Sequence, residues 1–462
     1  MANEKIWGTR FIKSSPRKGF FMHNNKTQVI YCSIIVVVSV LLSIHPMFSS
    51  TYSGVENSMY YYLATIVPWI VGFIATVKYI KKISQVYALT FVAILTIGNA
   101  SAMPLLQYTS SRPSEVVIAY SKALCLNNFL CVAVALICFS SLVASKYLYT
   151  KIEKKLKFVF YTYIFISIFV SLAILLLTKK VSDASNTTII KIGSLSFQAA
   201  IPVMIFSIIG VALSWKDKSV VKKSLYLGSI GILNLILILR GETGIPFILF
   251  IGFSVWYLFC QPFHYKYLSC LIFGLIGIGV FSIFILHAIR LYISNGTFLY
   301  SISEKIEGRI FSSSVDQVSD AQYSIATGGI WGGNGYNIYV SEGSSDFSIA
   351  TICHYNGFVY IIFLLCIAAP LFISTFKDIM NSKPGFGVSL KGMSLSCLFV
   401  MFFYNFLMCF GILPILGSQI PFTGVTMMYT LLSGFILACI FYEDEIAGAV
   451  MNKLKTGGLS NA

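Results

Sequence analysis

Long apolar runs recur twelve times along this chain, at 28–48, 58–78, 86–106, 124–145, 158–178, 197–214, 221–239, 243–260, 267–288, 350–374, 392–413 and 421–442. About 20 such residues in a helix cross roughly 30 Å of hydrocarbon. Backbone polar groups that meet no water there must be satisfied within the segment, so the runs predict transmembrane helices. The chain is expected to be an all-α, polytopic integral membrane protein of about 12 spans with one large extracytoplasmic loop. Only 11% of its residues are charged and 57% are hydrophobic, against about one-quarter charged in an ordinary soluble domain.

Charge orients the spans. Lys5, Arg10, Lys13, Arg17, Lys18 and Lys26 precede the first one, and further lysines recur at every second connection: Lys78, Lys81 and Lys82, the Lys146–Lys157 group, Lys216–Lys223, Lys266, Lys377–Lys391, and Lys453 with Lys455. These are 24 of the 33 basic residues. Their alternation with basic-poor loops follows the positive-inside rule and puts both termini in the cytoplasm. The same spread accounts for the net charge of +16 by contact with anionic membrane lipids and excludes a nucleic-acid partner, which calls for one concentrated patch. The first 26 residues lack a short apolar core ending in a small-residue cleavage site, so the first span is expected to double as the export signal.

The eleven cysteines include no CxxC pair. All fall in or beside apolar runs and read as small core residues. His45, His264 and His287 are scattered, and His354 has no second histidine near it, so no metal site is expected from histidine. Pro46, Pro68, Pro104, Pro202, Pro246, Pro370 and Pro414 lie in or at the ends of spans, where they kink helices.

One stretch breaks the apolar pattern. Arg309 to Gly357 reads RIFSSSVDQVSDAQYSIATGGIWGGNGYNIYVSEGSSDFSIATICHYNG. Its four acids, Asp316, Asp320, Glu342 and Asp346, are expected to gather on the outer face, all within a loop spanning 289–349. Loops held by a rigid scaffold tend to carry function, which makes this the expected site of chemistry. The Gly328–Gly335 run follows no strand and lacks the Lys-Ser/Thr of a P-loop, so it reads as tight turns. Glu342 and Asp346 either orient the loop or bind a cation, and Asp346 is equally a helix cap before the next span. Arg240 and Glu242, alone between two spans, form either a local ion pair or part of a substrate site.

Four patches, in order, resemble the SEDS family (shape, elongation, division and sporulation), whose members include RodA and FtsW. KIGSLSFQAAIPVM, Lys191 to Met204, is similar to the family's LG-x-x-x-FQPSE-x-x-K. Ile192, Gly193, Phe197 and Gln198 are in register, and the family's Pro, Ser, Glu and Lys are replaced by Ala199, Ala200, Ile201 and Met204. LRGETGIPFILF, Leu239 to Phe250, resembles the family's QPDLGT turn, with Glu242 where the acid stands and Gly244 matching. In the polar stretch, Arg309, the Asp316-x-x-x-Asp320 pair, Gly328, Gly329, Gly332, Glu342, Asp346, Phe347, Ala350 and Gly357 follow the family's order. His354 and Tyr355 replace its paired glutamates, and about ten residues after Asp320 are missing. NFLMCFGILPILGSQIPF, Asn405 to Phe422, matches without a gap at Asn405, Gly411, Pro414, Gly417, Pro421 and Phe422.

The resemblance covers roughly Ile189 to Phe441 and divides the chain into a basic cytoplasmic N-terminus (1–26), a five-helix membrane region (27–178), a SEDS-like core (179–442) and a cytoplasmic tail (443–462). Five spans precede the first patch where the family has three, so two are extra.

The resemblance implies a glycosyltransferase that polymerises a polyprenyl-diphosphate-linked disaccharide, the peptidoglycan precursor lipid II, on the outer face of a bacterial cytoplasmic membrane. It also implies a single-span class B penicillin-binding protein, a transpeptidase, as partner. Such a reaction needs a base for the attacking sugar hydroxyl, and Asp320 is the implied base with Asp316 second. The leaving diphosphate must be balanced by Arg, Lys or a divalent cation, Mg or Mn. Arg309, Arg240 and Lys305 are the candidate cations, and Gln198, Glu242, Glu342 and Asp346 complete the candidate substrate site. Competing readings are an O-antigen-like surface-polysaccharide polymerase or ligase, a precursor flippase or transporter, and a non-catalytic scaffold for a transpeptidase.

Overall fold

The structure is a computed structural model that describes residues 25–44, 82–108, 125–142, 156–177, 189–192, 195–216, 219–240, 242–260, 315–332, 346–382, 385–413, 419–423 and 427–442, with a few isolated residues between them. Twelve helices and one short hairpin make up the elements among these residues. They are α1 (Asn25–Ile44), α2 (Ile83–Tyr108), α3 (Cys125–Leu142), α4 (Leu156–Leu177), β1 (Ile189–Ile192), β2 (Leu195–Gln198), α5 (Ala200–Lys216), α6 (Val220–Leu239), α7 (Gly244–Cys260), α8 (Val315–Gly328), α9 (Ser348–Asn356), α10 (Phe358–Asn381), α11 (Phe386–Cys409) and α12 (Met427–Phe441). The fold is an all-α bundle, and six of its helices are long and apolar enough to cross a membrane. The span expected at 267–288 lies outside the described residues, as does that expected at 58–78 apart from six isolated residues.

Apolarity is nearly uniform around each helix, so packing rather than a polar face decides which helices are central. In α2, 89% of the span window is buried, and in α11 78%, whereas α3, α4 and α6 are each 22% buried and stand at the perimeter. Phe165, Phe169 and Leu176 of α4 are accordingly exposed on the apolar surface. Centrally, α2 packs on α1, α9 and α10, and α11 packs on α5, α7 and α12. Phe91 of α2 meets Phe402 of α11 edge-on, with ring centroids 5.2 Å apart. Without a hydrophobic drive between helices in lipid, close approach needs small residues. A Cβ on Gly252 of α7 would stand 3.4 Å from the Cα of Cys397 in α11. Across α2 and α10, the Tyr360 ring fills the space beside Gly98 and its hydroxyl donates to the Ile94 carbonyl.

Cys32, Cys131, Cys353, Cys397, Cys409 and Cys439 are free and buried, as expected of small core residues.

Two features depart from the sequence reading. Residues 189–198 form an antiparallel hairpin in which Ile189 pairs with Gln198 and Ile192 with Leu195, so α5 begins at Ala200 rather than at 197. The span expected at 350–374 is two helices: α9 ends at Asn356, Gly357 adopts φ 81° and ψ 167°, and α10 starts at Phe358. Such a conformation is open almost only to glycine. Every residue of α9 is buried, because the helix folds back into the bundle against α2 instead of lying in an outer loop. Asn356 donates to the Gly98 carbonyl (3.3 Å) and accepts from the Ser101 hydroxyl (2.9 Å). Ser348 and Thr423 share a hydroxyl contact of 3.0 Å, and Asn99 donates to the Thr423 carbonyl at 2.8 Å. A short helix at this depth is tolerable in a membrane because protein surrounds it.

Candidate active site

Two parts of the polar stretch are helical, Val315–Gly328 and Ser348–Asn356. In α8, Val318, Ala321 and Ile325 recur at helical spacing toward the bundle, with Ala321 fully buried. The Asp-x-x-x-Asp spacing is thereby one helical turn, and position 316 precedes Asp320 on the same side of the helix. Asp320 is half-buried; the Asp316 side chain lies outside the described residues.

Helices α8 and α9 lie side by side and parallel. The Ser324 hydroxyl donates to the Ala350 carbonyl at 3.5 Å, and a Cβ on Gly328 would collide with the backbone of Cys353 and His354. Farther on, Gly332 abuts Tyr355 and Asn356 in the same way. The helix pair is therefore in register with an offset of about 26 positions. Asp320 lies one turn before Ser324 on α8, and Asp346 lies two residues before the first residue of α9. His354, 2% exposed, seals the pair, its Nδ1 standing 3.0 Å from the Ser324 carbonyl and 3.3 Å from the Thr327 hydroxyl. It is a hydrogen-bonded interface residue, as the sequence suggests.

Glycines bolt this pair to α10. Residues 329–332 form the expected tight turn, in which Gly329 and Gly332 have φ of 61° and 79°. The Phe358 N–H donates to the Gly329 carbonyl at 3.0 Å and the Val359 N–H to the Ile330 carbonyl at 3.1 Å. The other flank of α8 rests on the end of α11, where Gln322 Nε2 donates to the Phe410 carbonyl at 2.9 Å.

Asp346 is not a helix cap, since Phe347 occupies the N-cap of α9 and makes no side-chain cap bond. Instead Asn405 of α11 donates from Nδ2 to the Asp346 carbonyl at 2.6 Å, and its Oδ1 receives the Cys409 thiol at 3.7 Å. Asn405 thus fixes the chain where it enters α9. Glu242, only 7% exposed, accepts a hydrogen bond from Gln198 Nε2 at 3.1 Å, tying the α6–α7 turn to the end of β2. The guanidinium of Arg240 donates to the Leu175 carbonyl near the C-terminus of α4, where a cation complements the helix dipole.

Between these acids stands a residue that the sequence reading did not single out. Tyr429 of α12 is 3% exposed, and its hydroxyl has no hydrogen-bond partner of good geometry among the described residues. Asp346 and Glu242 are both within electrostatic reach of that hydroxyl, and the Gln419 backbone approaches it without hydrogen-bond geometry. Glu242 is thus bonded to Gln198 and, like Asp346, lies within electrostatic reach of Tyr429, while Asp320 sits on α8, which packs against α9. Arg240 faces α4. Arg309, Lys305 and Glu342 lie outside the described residues. The signal for Asn405 was an amide inside an apolar run; for Tyr429 no sequence pattern separates it from a core aromatic.

No group of three or more His, Cys, Asp or Glu side chains is clustered to hold a metal among the described residues. Glu242 and Asp346 are two carboxylates of the hard-oxygen type that Mg takes together with water and phosphate.

At Ala199, Ala200, Ile201 and Met204, exposure is 4% or less, so this part of α5 is apolar core packed beneath the Gln198–Glu242 pair.

No curated protein shows significant similarity to the chain. The fold is similar to a chain of a solved peptidoglycan synthase complex that coordinates polymerization and crosslinking, with 15% identity and a TM-score of 0.53, covering 76% of this chain and 98% of that one. A second similar structure is an aspartate-to-alanine mutant of the rod shape determining protein RodA of Thermus thermophilus, with 14% identity and a TM-score of 0.47, covering 78% of this chain and 98% of that one. The sequence profile of the FtsW, RodA and SpoVE family, described as cell cycle proteins, matches residues 101–444. The chain belongs to this family, the SEDS membrane proteins.

Proposed function

We propose that the chain is a peptidoglycan glycosyltransferase of SEDS type, polymerising lipid-linked disaccharide at the outer face of a bacterial cytoplasmic membrane. The observation that carries this reading is that residues 101–444 match this family, in a fold where Asp320 lies on a buttressed helix and Glu242 and Asp346 both lie within electrostatic reach of Tyr429. In the reaction, an acceptor sugar hydroxyl oxygen attacks the anomeric carbon of the donor, and the bond from that carbon to the polyprenyl diphosphate breaks. The hydroxyl proton passes to the Asp320 carboxylate. The diphosphate leaves with the bonding electron pair and is balanced by Arg309, Arg240 or Lys305.

A divalent cation, Mg or Mn, would be held by Asp346 and Glu242 together with the diphosphate oxygens and would supply Lewis-acid stabilisation of the leaving group. Gln198 orients Glu242, and Tyr429 offers a hydroxyl to phosphate or sugar oxygen. The peptidoglycan synthase complex with a similar fold supports a single-span transpeptidase of the class B penicillin-binding type as partner. The test is polymerisation of labelled lipid-linked precursor by purified protein, with and without that partner. Polymer made by wild type and lost with Asp320→Ala, but kept with Ser319→Ala on the exposed side of α8, supports the assignment. Polymer that survives Asp320→Ala removes Asp320 as the base.

A second reading rests on α5. Ala200, Ile201 and Met204 put apolar core where the resemblance has Ser, Glu and Lys, which favours a change of lipid-linked glycan, as in a surface-polysaccharide polymerase. Turnover of another polyprenyl-diphosphate sugar, with none of the peptidoglycan precursor, would select it.

A further inference from the structure

Tyr323, Ile330, Trp331 and Ile412 are 60%, 62%, 63% and 67% exposed, and none of them lies within a spanning helix. The segments that carry them are tied together at one end of the bundle. Ile330 and Trp331 form the turn bolted to the first residues of α10, and Ile412 follows the end of α11. Tyr323 neighbours Gln322, which bonds to Phe410. The Phe358 and Phe410 rings, 6.5 Å apart, link the two sides of this end.

The height of this end is set by α10. Its 24 residues make a rod of about 36 Å, longer than a hydrocarbon core of roughly 30 Å. Lys377 and Asp378 mark one boundary, and the apolar residues from Phe376 back to Phe358 span about 28 Å, so the first turn of α10, and the Ile330–Trp331 turn fastened to it, stand where acyl chains give way to headgroups. Phe358 and Ile362 continue the exposed apolar surface from this turn down the side of the span. An exposed Trp, Tyr and Ile group at that level, continuous with a lipid-facing helix, has the composition of an interfacial belt.

We propose that Tyr323, Ile330, Trp331 and Ile412 form a phospholipid-interface anchor, buried among the headgroups, which holds α8 at the level of the bilayer surface. Its consequence for catalysis rests on the glycosyltransferase reading: Asp320, three residues before Tyr323, is kept at the height of the donor's diphosphate. The anchoring itself does not depend on that reading.

The experiment places the protein in nanodiscs of phospholipid brominated either near the headgroup or near the bilayer centre. Tryptophan emission of wild type is compared with that of Trp331→Phe, so that the difference is the signal of Trp331 alone. The expected result is loss of that signal to the headgroup-proximal bromines, smaller loss to the central ones, and little to aqueous iodide. Quenching by iodide without quenching by either lipid would overturn the proposal, and so would protection from all three, which assigns the patch to a protein neighbour. Tyr323→Trp in the Trp331→Phe background reads the same depth from α8 itself. Asp320→Ala, inactive under the proposed function, should give the wild-type quenching pattern, so failure of the anchor and failure of the catalytic reading are distinguishable.

Discussion

Substituting Gly357 by alanine tests whether the α8–α9 pair is set by its glycine joint. At φ 81° and ψ 167° a side chain is strained, at a cost of about 1–3 kcal/mol. The added methyl would also collide with the Ile330 carbonyl oxygen, the Trp331 carbonyl carbon and the Gly332 nitrogen. These are backbone atoms and cannot swing aside, so the turn must retreat by about 1 Å to restore van der Waals separation. That retreat breaks the bonds from Phe358 and Val359 to Gly329 and Ile330, each worth about 0.5–1.5 kcal/mol. The sum is a destabilisation of about 2–6 kcal/mol, by adding the strain to two hydrogen bonds. Thermal unfolding in detergent, followed by a fluorogenic thiol reagent, reads it directly, because Cys353, Cys397, Cys409 and Cys439 are buried and react only on opening. Gly228→Ala is the control: a Cβ there meets nothing within 4 Å, and stability should hold or rise by up to about 1 kcal/mol from helix propensity. Displacement of α8 should also depress polymerisation by Gly357→Ala. Unfolding at the wild-type temperature with full activity would refute the joint.

Tyr429→Phe should leave stability unchanged or raise it by about 1–3 kcal/mol, since the hydroxyl is buried without a hydrogen bond, while lowering polymerisation; equal loss of both would make Tyr429 a packing residue only. Asn405→Ala should cost about 1–3 kcal/mol in the same unfolding assay by leaving the Asp346 carbonyl without its donor, and wild-type behaviour would count against Asn405 as the fixing residue. Gln198→Ala removes a donor from a buried carboxylate and should destabilise by about 1.5–3 kcal/mol, with Gln198→Asn restoring less than the native contact because its amide is one methylene shorter. If Asp346 and Glu242 hold a divalent cation with the diphosphate, Glu242→Gln should raise the Mg concentration that gives half-maximal polymerisation; an unchanged requirement would place the cation elsewhere.

Ten of the twelve expected spans fall on described helices, because length and apolarity decide which segments form them, and α6 and α7 separate at Arg240 and Glu242 where the charges stand. The α9–α10 break was not legible. SIATICHYNG runs into the apolar FVYIIFLLC with only Gly357 between, and glycine inside a membrane helix is common, so nothing local shows that this one takes a positive φ. The hairpin was legible in principle: two short strands flank Gly193-Ser194, a two-residue turn signal, which the reading subordinated to the apolar run that follows. Asp316 and Asp320 were read as loop residues although four positions apart is also one turn of helix, and their setting among Ser, Gln and Asp hid the Val318, Ala321 and Ile325 stripe. Gln198, Glu242 and Asp346 were legible as candidates, but their approach to Tyr429 depends on four separate elements meeting, which no single stretch encodes.

Helix α8 is held on three sides, by α9 through Ser324, by α10 through the turn after Gly328, and by α11 through Gln322. A helix braced from three directions has little freedom to swing, so under the proposed function the Asp320 backbone would stand in its working position before substrate arrives. Preorganisation of that kind separates the chemical step from segmental motion of the base. The turnover rate should accordingly be indifferent to microviscosity: added sucrose should leave kcat unchanged, and an inverse dependence of kcat on viscosity would mean that α8 has to travel on every cycle.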